Sequence, residues 1–161
     1  MAGHDLWATP HALYEVLNHE FLFTLDAAAD ESNTKCHKWL GPGSSIGEDA
    51  LTASWDSAVV WCNPPYSGGN LTLFVKRAWE QVQEHHNTVV MLLPAYTDPK
   101  YWWDYVVPFA DEVRFLKGRL QFLENGVKKQ SARFPSAVVV FRWRPGVQQK
   151  TAHCWWWDWK A

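Results

Sequence analysis

The sequence predicts one α/β domain: a mainly parallel sheet with helices on both faces and an antiparallel last strand. Three observations predict it. Short apolar runs at 21–25, 58–62 and 89–93 are rich in β-branched or aromatic residues, as strands buried on both faces are. Stretches of helical period separate them, the alternation of a parallel sheet. Beyond residue 110 the strand candidates follow one another without a helix, which brings the final strand in antiparallel. A chain of 161 residues with 47% hydrophobic and 20% charged residues has enough apolar surface for one core and is not disordered.

Taken in order, Thr9-Pro10 opens the first helix, with Thr9 as N-cap and Pro10 as the first helical residue. Leu13, Val16 and Leu17 carry it to about His19. The run 21–25 is a strand ending at Asp26, followed by Ala27-Ala28-Ala29-Asp30, small residues that let a ligand approach the backbone. A buried or turn-capping Asp26 fits the same pattern. Cys36 to Leu40 reads as a short strand closed by Gly41-Pro42-Gly43, and Asp49-Ala50-Leu51 with Trp55 leads into the strand at Ala58.

The stretch Trp61-Cys62-Asn63-Pro64-Pro65-Tyr66 stops that strand at two prolines. Neither proline can donate to a sheet, and each restricts the residue before it to extended backbone. Asn63 and Tyr66 are therefore expected at the carboxyl edge of the sheet, where open α/β folds bind ligands. Ser67-Gly68-Gly69-Asn70 is a flexible loop. Leu71 to about His86 is an amphipathic helix, with Leu73, Phe74, Ala78 and Val82 on its apolar side. Asp98-Pro99 caps and opens a helix to about Phe109. The run 112–116 is a strand, Asn125-Gly126 a turn signal, and 137–141 the last strand. The tail, about 143–161, holds Trp155, Trp156, Trp157 and Trp159, and suits either a core or a contact between copies.

Net charge is −2, which does not mark a general nucleic-acid binder, but the charge is divided. Residues 1–110 carry 5 Lys+Arg against 13 Asp+Glu, and residues 111–161 carry 10 against 4. A basic face at the C-terminal end follows, or a solvated surface of uneven charge. Cys36, Cys62 and Cys154 form no disulfide framework and no metal-ligand spacing with His37 or His153, which points to a reducing compartment. The N-terminus lacks a signal-peptide pattern and no apolar run nears about 18 residues, so a cytoplasmic protein without a membrane span is expected.

Together these residues resemble the small phage-type (Dam-like) DNA adenine N6-methyltransferases. The resemblance is carried by Trp7-x-Thr9-Pro10, Leu25-Asp26-Ala27-Ala28, Asp49-Ala50-Leu51 with Trp55, Asn63-Pro64-Pro65-Tyr66, Gly118-Arg119-Leu120-x-Phe122 and Phe134-Pro135-Ser136-Ala137. It implies a Rossmann-like methyltransferase fold and S-adenosylmethionine as cofactor. Asn63, Pro64, Pro65 and Tyr66 match the catalytic motif. Trp7, Thr9 and Pro10 match the segment beside the methionine part of the cofactor. Asp26, Ala27 and Ala28 stand where the cofactor strand ends, with alanines in place of the glycines many methyltransferases have there. Asp49, with Ala50 and Leu51, matches the acidic residue near the cofactor's adenine. Lys117, Arg119, Lys128, Lys129 and Arg133 fall where family members contact DNA, and Gln121, Gln130 and Arg119 are candidates for reading bases.

The chemistry suits these residue types. The adenine N6 lone pair is delocalised into the ring, and two acceptors aimed at its hydrogens draw it out. The Asn63 oxygen and the Pro64 carbonyl are the candidates, and Tyr66 would stack on the flipped base. The resemblance implies double-stranded DNA as substrate, a GATC-like target and a phage or prophage protein acting inside a bacterial host. Methylation of RNA, methylation of a protein glutamine, and a non-catalytic nucleic-acid-binding domain are the alternatives.

Overall fold

A computed structural model of the protein describes residues 7–146 and 151–161. The amino-terminal stretch read for a leader and part of the tail, 147–150, lie outside the described residues. The elements in chain order are α1 (His11–Phe21), β1 (Leu25–Asp26), β2 (Val59–Cys62), α2 (Asn70–His85), β3 (Thr88–Pro94), a π-helical turn (Trp102–Val106) running into α3 (Val107–Phe109), β4 (Glu112–Leu116), β5 (Leu123–Glu124), β6 (Val127–Lys128), β7 (Ser136–Arg142) and β8 (His153–Trp157).

Among the described residues six strands form one sheet in the order β1-β2-β3-β7-β4-β8. β1, β2 and β3 are mutually parallel, and β4 is parallel to β8. β7 runs antiparallel to both its neighbours, β3 and β4. β3 and β4 therefore point the same way, and only β7 is reversed. This is the expected mainly parallel sheet. The tail adds a strand after β7, so the reversed strand is the last but one. Within the tail, His153–Trp157 form an edge strand of the sheet, with Trp156 83% exposed, and Trp159 beyond it is buried.

Alternation on the strands builds a core on each face. On one side Val60, Cys62, Met91, Val139 and Phe141 pack against Phe74, Ala78 and Val82 of α2 and against Trp102 and Val106. On the other, Trp61, Val90, Leu92, Val138 and Val140 pack against Leu13, Tyr14 and Leu17 of α1. Trp61 is 1% exposed. Burying a ring of that size removes about 150–250 Å² from water, worth roughly 4–6 kcal/mol before the cost of ordering it.

Several local readings are corrected. Pro10, not Thr9, is the N-cap of α1, with φ −54° and ψ 132°, and no side chain caps the helix. Thr9 is instead buried, because its backbone lies beside the β5–β6 hairpin, where Ala8 bridges Leu123. α1 runs on to Phe21 and ends at Leu22, whose φ is 57°. The strand expected at 21–25 is thus cut to Leu25–Asp26, since Phe21 is drawn into α1 and stacks on Phe23. Of the strand expected at 36–40, only Trp39 bridges Asp26. Leu73 faces out, 49% exposed, while Val75 and Gln81 join the buried face of α2. Gln81 is held there because its Oε1 accepts the Trp55 N–H at 2.6 Å. Asp98 does not cap a helix. The helical segment begins at Lys100 and widens to a π turn in which the Val107 N–H reaches the Trp102 carbonyl. Pro108 lacks an N–H and its ring would strike the carbonyl four residues back, a clash that the wider turn relieves. Among the described residues no helix is long and apolar enough to cross a membrane.

Candidate active site

The carboxyl ends of β1 and β2 open onto a cavity of about 320 Å³. Among the described residues three segments wall it: the end of β1 with the loop after it, the turn at Asp49, and a strap of residues 7–9 facing the Asn63-Pro64-Pro65-Tyr66 turn.

Asp26 closes β1 and is 3% exposed. Its Oδ1 accepts the Ala28 N–H at 3.3 Å and its Oδ2 accepts the Lys35 N–H at 3.0 Å. Burial raises its carboxyl to about 6 even against these two N–H donors, so it titrates near neutrality. The chain after it approaches another backbone very closely. A Cβ on Gly41, whose φ is 142°, would collide with the Ala29 carbonyl, so only glycine fits there. Asp30 then orders the next turn, accepting the Ser32 N–H at 2.7 Å and the Asn33 N–H at 3.1 Å.

Opposite, Asp49 accepts the Leu51 N–H at 2.9 Å and so opens a tight turn. The buried Trp55 pins that turn, because its Nε1 donates to the Ala50 carbonyl at 2.8 Å. Ala50, Glu48 and Phe74 complete this wall.

At the third wall, the Asn63 Nδ2 donates to the Trp7 carbonyl at 3.2 Å. The Tyr66 hydroxyl lies 3.0 Å from the Asn63 Oδ1 and 3.0 Å from the Leu92 carbonyl. Burial holds that phenol protonated, well above its ordinary value. The Pro64 carbonyl accepts no hydrogen bond from the described residues. The turn therefore offers two acceptors, the second lone pair of Asn63 Oδ1 and the Pro64 carbonyl.

Of the residues expected beside the cofactor, Trp7, Thr9, Asp26, Ala28, Asp49 and Ala50 line the cavity, as do Asn63, Pro64 and Pro65. Pro10, Ala27 and Leu51 do not. Ala27 is turned into the core and Pro10 is committed to the start of α1. Tyr66 stands behind the wall, its ring edge-on to Phe122 and Phe134 at 6.3 and 5.7 Å. Sequence reasoning missed Asn33, Lys35, Glu48 and Phe74. Phe74 was visible only as a core residue of α2, and Gly41 only as a turn signal.

Among the described residues the cavity wall carries Asp26, Asp30, Glu48 and Asp49 against the single cation Lys35. It repels phosphates and suits a cationic ligand with an apolar body lying against Trp7, Leu40 and Phe74. A sulfonium nucleoside with an ammonium group has that chemistry.

The basic residues divide. Arg119, Lys128 and Arg133 are exposed and have no partner among the described residues. Lys117 is paired with Asp158, and Lys129 with Glu124. Arg142 and Arg144 are paired with Asp111, and Arg114 with Glu20 and Glu112. Much of the C-terminal excess of base is thus spent inside the protein.

Comparison with known proteins agrees with this geometry. The family model for DNA N-6-adenine-methyltransferase (Dam) matches residues 1–154. A DNA N-6-adenine-methyltransferase of Haemophilus phage HP1 is 37% identical over 142 residues, covering 85% of this chain and 78% of that protein. One of Escherichia phage T1 is 42% identical over 96 residues, covering 58% of this chain and 37% of that protein. Among solved structures, a Listeria monocytogenes protein described as a class I S-adenosylmethionine-dependent methyltransferase superposes with a TM-score of 0.55 at 11% identity, over 94% of this chain and 66% of that one. With its fold, its acid-lined cavity and these relatives in agreement, the chain belongs to the DNA N-6-adenine-methyltransferase (Dam) family.

Proposed function

We propose that the Asn63-Pro64-Pro65-Tyr66 turn holds the N6 amino group of an adenine flipped out of DNA while it is methylated. The family's reaction, which this chain performs, moves a methyl group from S-adenosylmethionine to that nitrogen. The cofactor supplies the methyl on a sulfonium. Trp7, Thr9, Asp26, Ala28, Asp49 and Ala50 would hold it, Asp26 facing its cationic end and Asp49 its adenine. Asn63 Oδ1 takes one N6 hydrogen and the Pro64 carbonyl the other, which frees the nitrogen lone pair. Neither acceptor is a base, so the proton released on transfer passes to water. The catalysis is mostly positioning and electrostatics.

The observation that carries this reading is the Asn63 amide, held with its oxygen as acceptor beside a cavity suited to a cation. Arg119, Lys128 and Arg133 grip phosphates in this reading, and the exposed Gln121 and Gln130 lie near enough in sequence to read bases. A GATC-like site inside a bacterial host is the finer reading. The 83% exposed Trp156 on the open edge of β8 supports a contact between copies, which sedimentation tests. The domain reading is a single methyltransferase unit over 1–161.

Methyl-labelled cofactor incubated with duplex DNA, RNA or protein, followed by digestion, tests the substrate. Label on N6-adenine of DNA is expected, and mapping the labelled sites gives the target. Label only on RNA adenine or on glutamine, or none at all, overturns the reading.

A further inference from the structure

We infer that the peptide carbonyl of Trp7 is a positioning group for methyl transfer: it fixes which end of the Asn63 amide faces the substrate. The inference rests on the reading of Asn63 as acceptor. An amide has one end that accepts and one that donates, and the reaction tolerates only the first against an amino group. A peptide carbonyl can only accept, so the atom 3.2 Å from the Trp7 oxygen has to be the NH2. The Tyr66 hydroxyl 3.0 Å from the other end can donate or accept, so the Trp7 carbonyl alone fixes the polarity. Rotating the amide by half a turn would set two oxygens against each other at Trp7 and turn a donor on the N6 hydrogens.

Trp7 is itself held from the hairpin side. Its ring stacks on Phe122 at 5.4 Å and an interplanar angle of 28°. Next to it, the Ala8 N–H donates to the Leu123 carbonyl at 2.7 Å and the Leu123 N–H donates to the Ala8 carbonyl at 2.9 Å. Leu123 begins the hairpin that carries Lys128. The strap thus ties the polarity of the acceptor to the seating of the β5–β6 hairpin. Nothing in the Trp7-x-Thr9-Pro10 pattern reveals this, because the contact is made by a main-chain oxygen.

The test is Asn63→Asp, followed by single-turnover methylation of DNA at saturating cofactor between pH 7 and 8.5. A carboxylate at this position faces the Trp7 carbonyl oxygen and is repelled. A protonated one donates to that oxygen and keeps its other oxygen for the substrate. The groups around it do not interfere in this window. Cys62 and Tyr66 are pushed up by burial and stay neutral, Asp26 is ionised above about 6, and Lys35 shares the cavity as a cation. The N63D rate is therefore expected to climb as pH falls, by up to tenfold per unit, against a far flatter parent profile. An active N63D enzyme with the parent's profile overturns the inference. If N63D is inactive throughout, Phe122→Leu decides when read against Phe134→Leu, since Phe122 packs on Trp7 whereas both rings touch Tyr66 and neither lines the cofactor cavity. A single-turnover rate several-fold below that of Phe134→Leu with cofactor affinity intact supports the inference, and a rate equal to that control's overturns it. Absence of N6-adenine label from the unsubstituted chain would instead sink the reading of Asn63 itself.

Discussion

The Tyr66 hydroxyl bridges two carbonyl-type oxygens, Asn63 Oδ1 and the Leu92 main chain, each at 3.0 Å. One proton is shared between the catalytic turn and the body of β3. Tyr66 is thus a brace for Asn63 as well as an aromatic ring near the base site. Removing only the hydroxyl, as Tyr66→Phe, should lower the single-turnover rate about fivefold, the value of one net hydrogen bond. Cofactor affinity should be unchanged. A rate equal to the parent's would leave the hydroxyl a purely structural role.

Asn63→Ala removes the acceptor and its brace together. Loss of a preorganised group that acts on the reacting nitrogen costs about 10²–10³ in rate. The expected phenotype is that loss with cofactor binding retained, because the cavity keeps its acidic wall. Equilibrium dialysis and single-turnover labelling separate the two. Full activity in this variant would refute the acceptor role.

Asp26 makes the protein's response to pH unusual. Its carboxyl titrates near 6 in the folded chain because it is buried, against about 3.9 when unfolded. It holds its proton more tightly folded than unfolded, so its contribution to stability grows as pH falls through 6 and is complete below about 4. The difference is on the order of 3 kcal/mol. Asp26→Asn should therefore flatten the dependence of stability on pH between 4 and 6, as read by paired thermal melts, while its NH2, set against one of the two backbone N–H groups that the carboxyl accepts, costs stability at every pH. Cofactor binding should run the other way. A cation needs the ionised form, so affinity weakens as pH drops below 6, and D26N should lose that dependence along with much of its affinity.

The sheet was legible because its strands announce themselves. Val89 to Leu93 and Glu112 to Leu116 are uninterrupted apolar or alternating runs, and both form strands where expected. The prolines after Asn63 end β2 as steric restriction requires. The site was legible where side chains carry it, at Asp26, Asp49 and Asn63. It was hidden where the backbone or distant packing decides. Thr9 looks like a cap, yet Ala8 pairs with Leu123 across more than a hundred residues and leaves the cap to Pro10. The strand expected from Phe21 lost that residue to α1. The basic count past residue 110 overstated the DNA face, because ion pairs such as Arg144–Asp111 show only in three dimensions.

Arg114 illustrates that last point. It is 4% exposed, donates to both Glu20 oxygens at 2.7 and 2.6 Å, and reaches Glu112 at 2.6 Å. Trp155, Trp157 and Phe21 pack round its guanidinium at 5.1–5.3 Å. Burial pushes the Glu112 carboxyl up, but the hydrogen bonds from Arg114 and Trp155 outweigh it and leave Glu112 ionised. Arg114→Ala strands that carboxylate and loosens β8, so a loss of about 3 kcal/mol is expected. Denaturant melts followed by Trp fluorescence would register it. A loss under about 0.5 kcal/mol would show the clamp to be idle.

The grip on DNA should follow which bases are free rather than how many there are. Each phosphate contact contributes about 0.9 to the slope of log affinity against log salt. Arg119→Ala, Lys128→Ala and Arg133→Ala should each reduce that slope by about that amount, since these cations have no carboxylate partner among the described residues. Lys129 is held by Glu124 and Lys117 by Asp158. Glu124→Ala should therefore free a lysine beside Lys128 and tighten binding at low salt, where a count of charges along the sequence gives no reason to single out that residue. Fluorescence anisotropy on a short duplex between 50 and 200 mM salt measures all four variants. If Glu124→Ala leaves both affinity and slope unchanged while Lys128→Ala lowers them, Lys129 lies off the DNA path. If Lys128→Ala is also silent, the hairpin is not the face that meets the duplex.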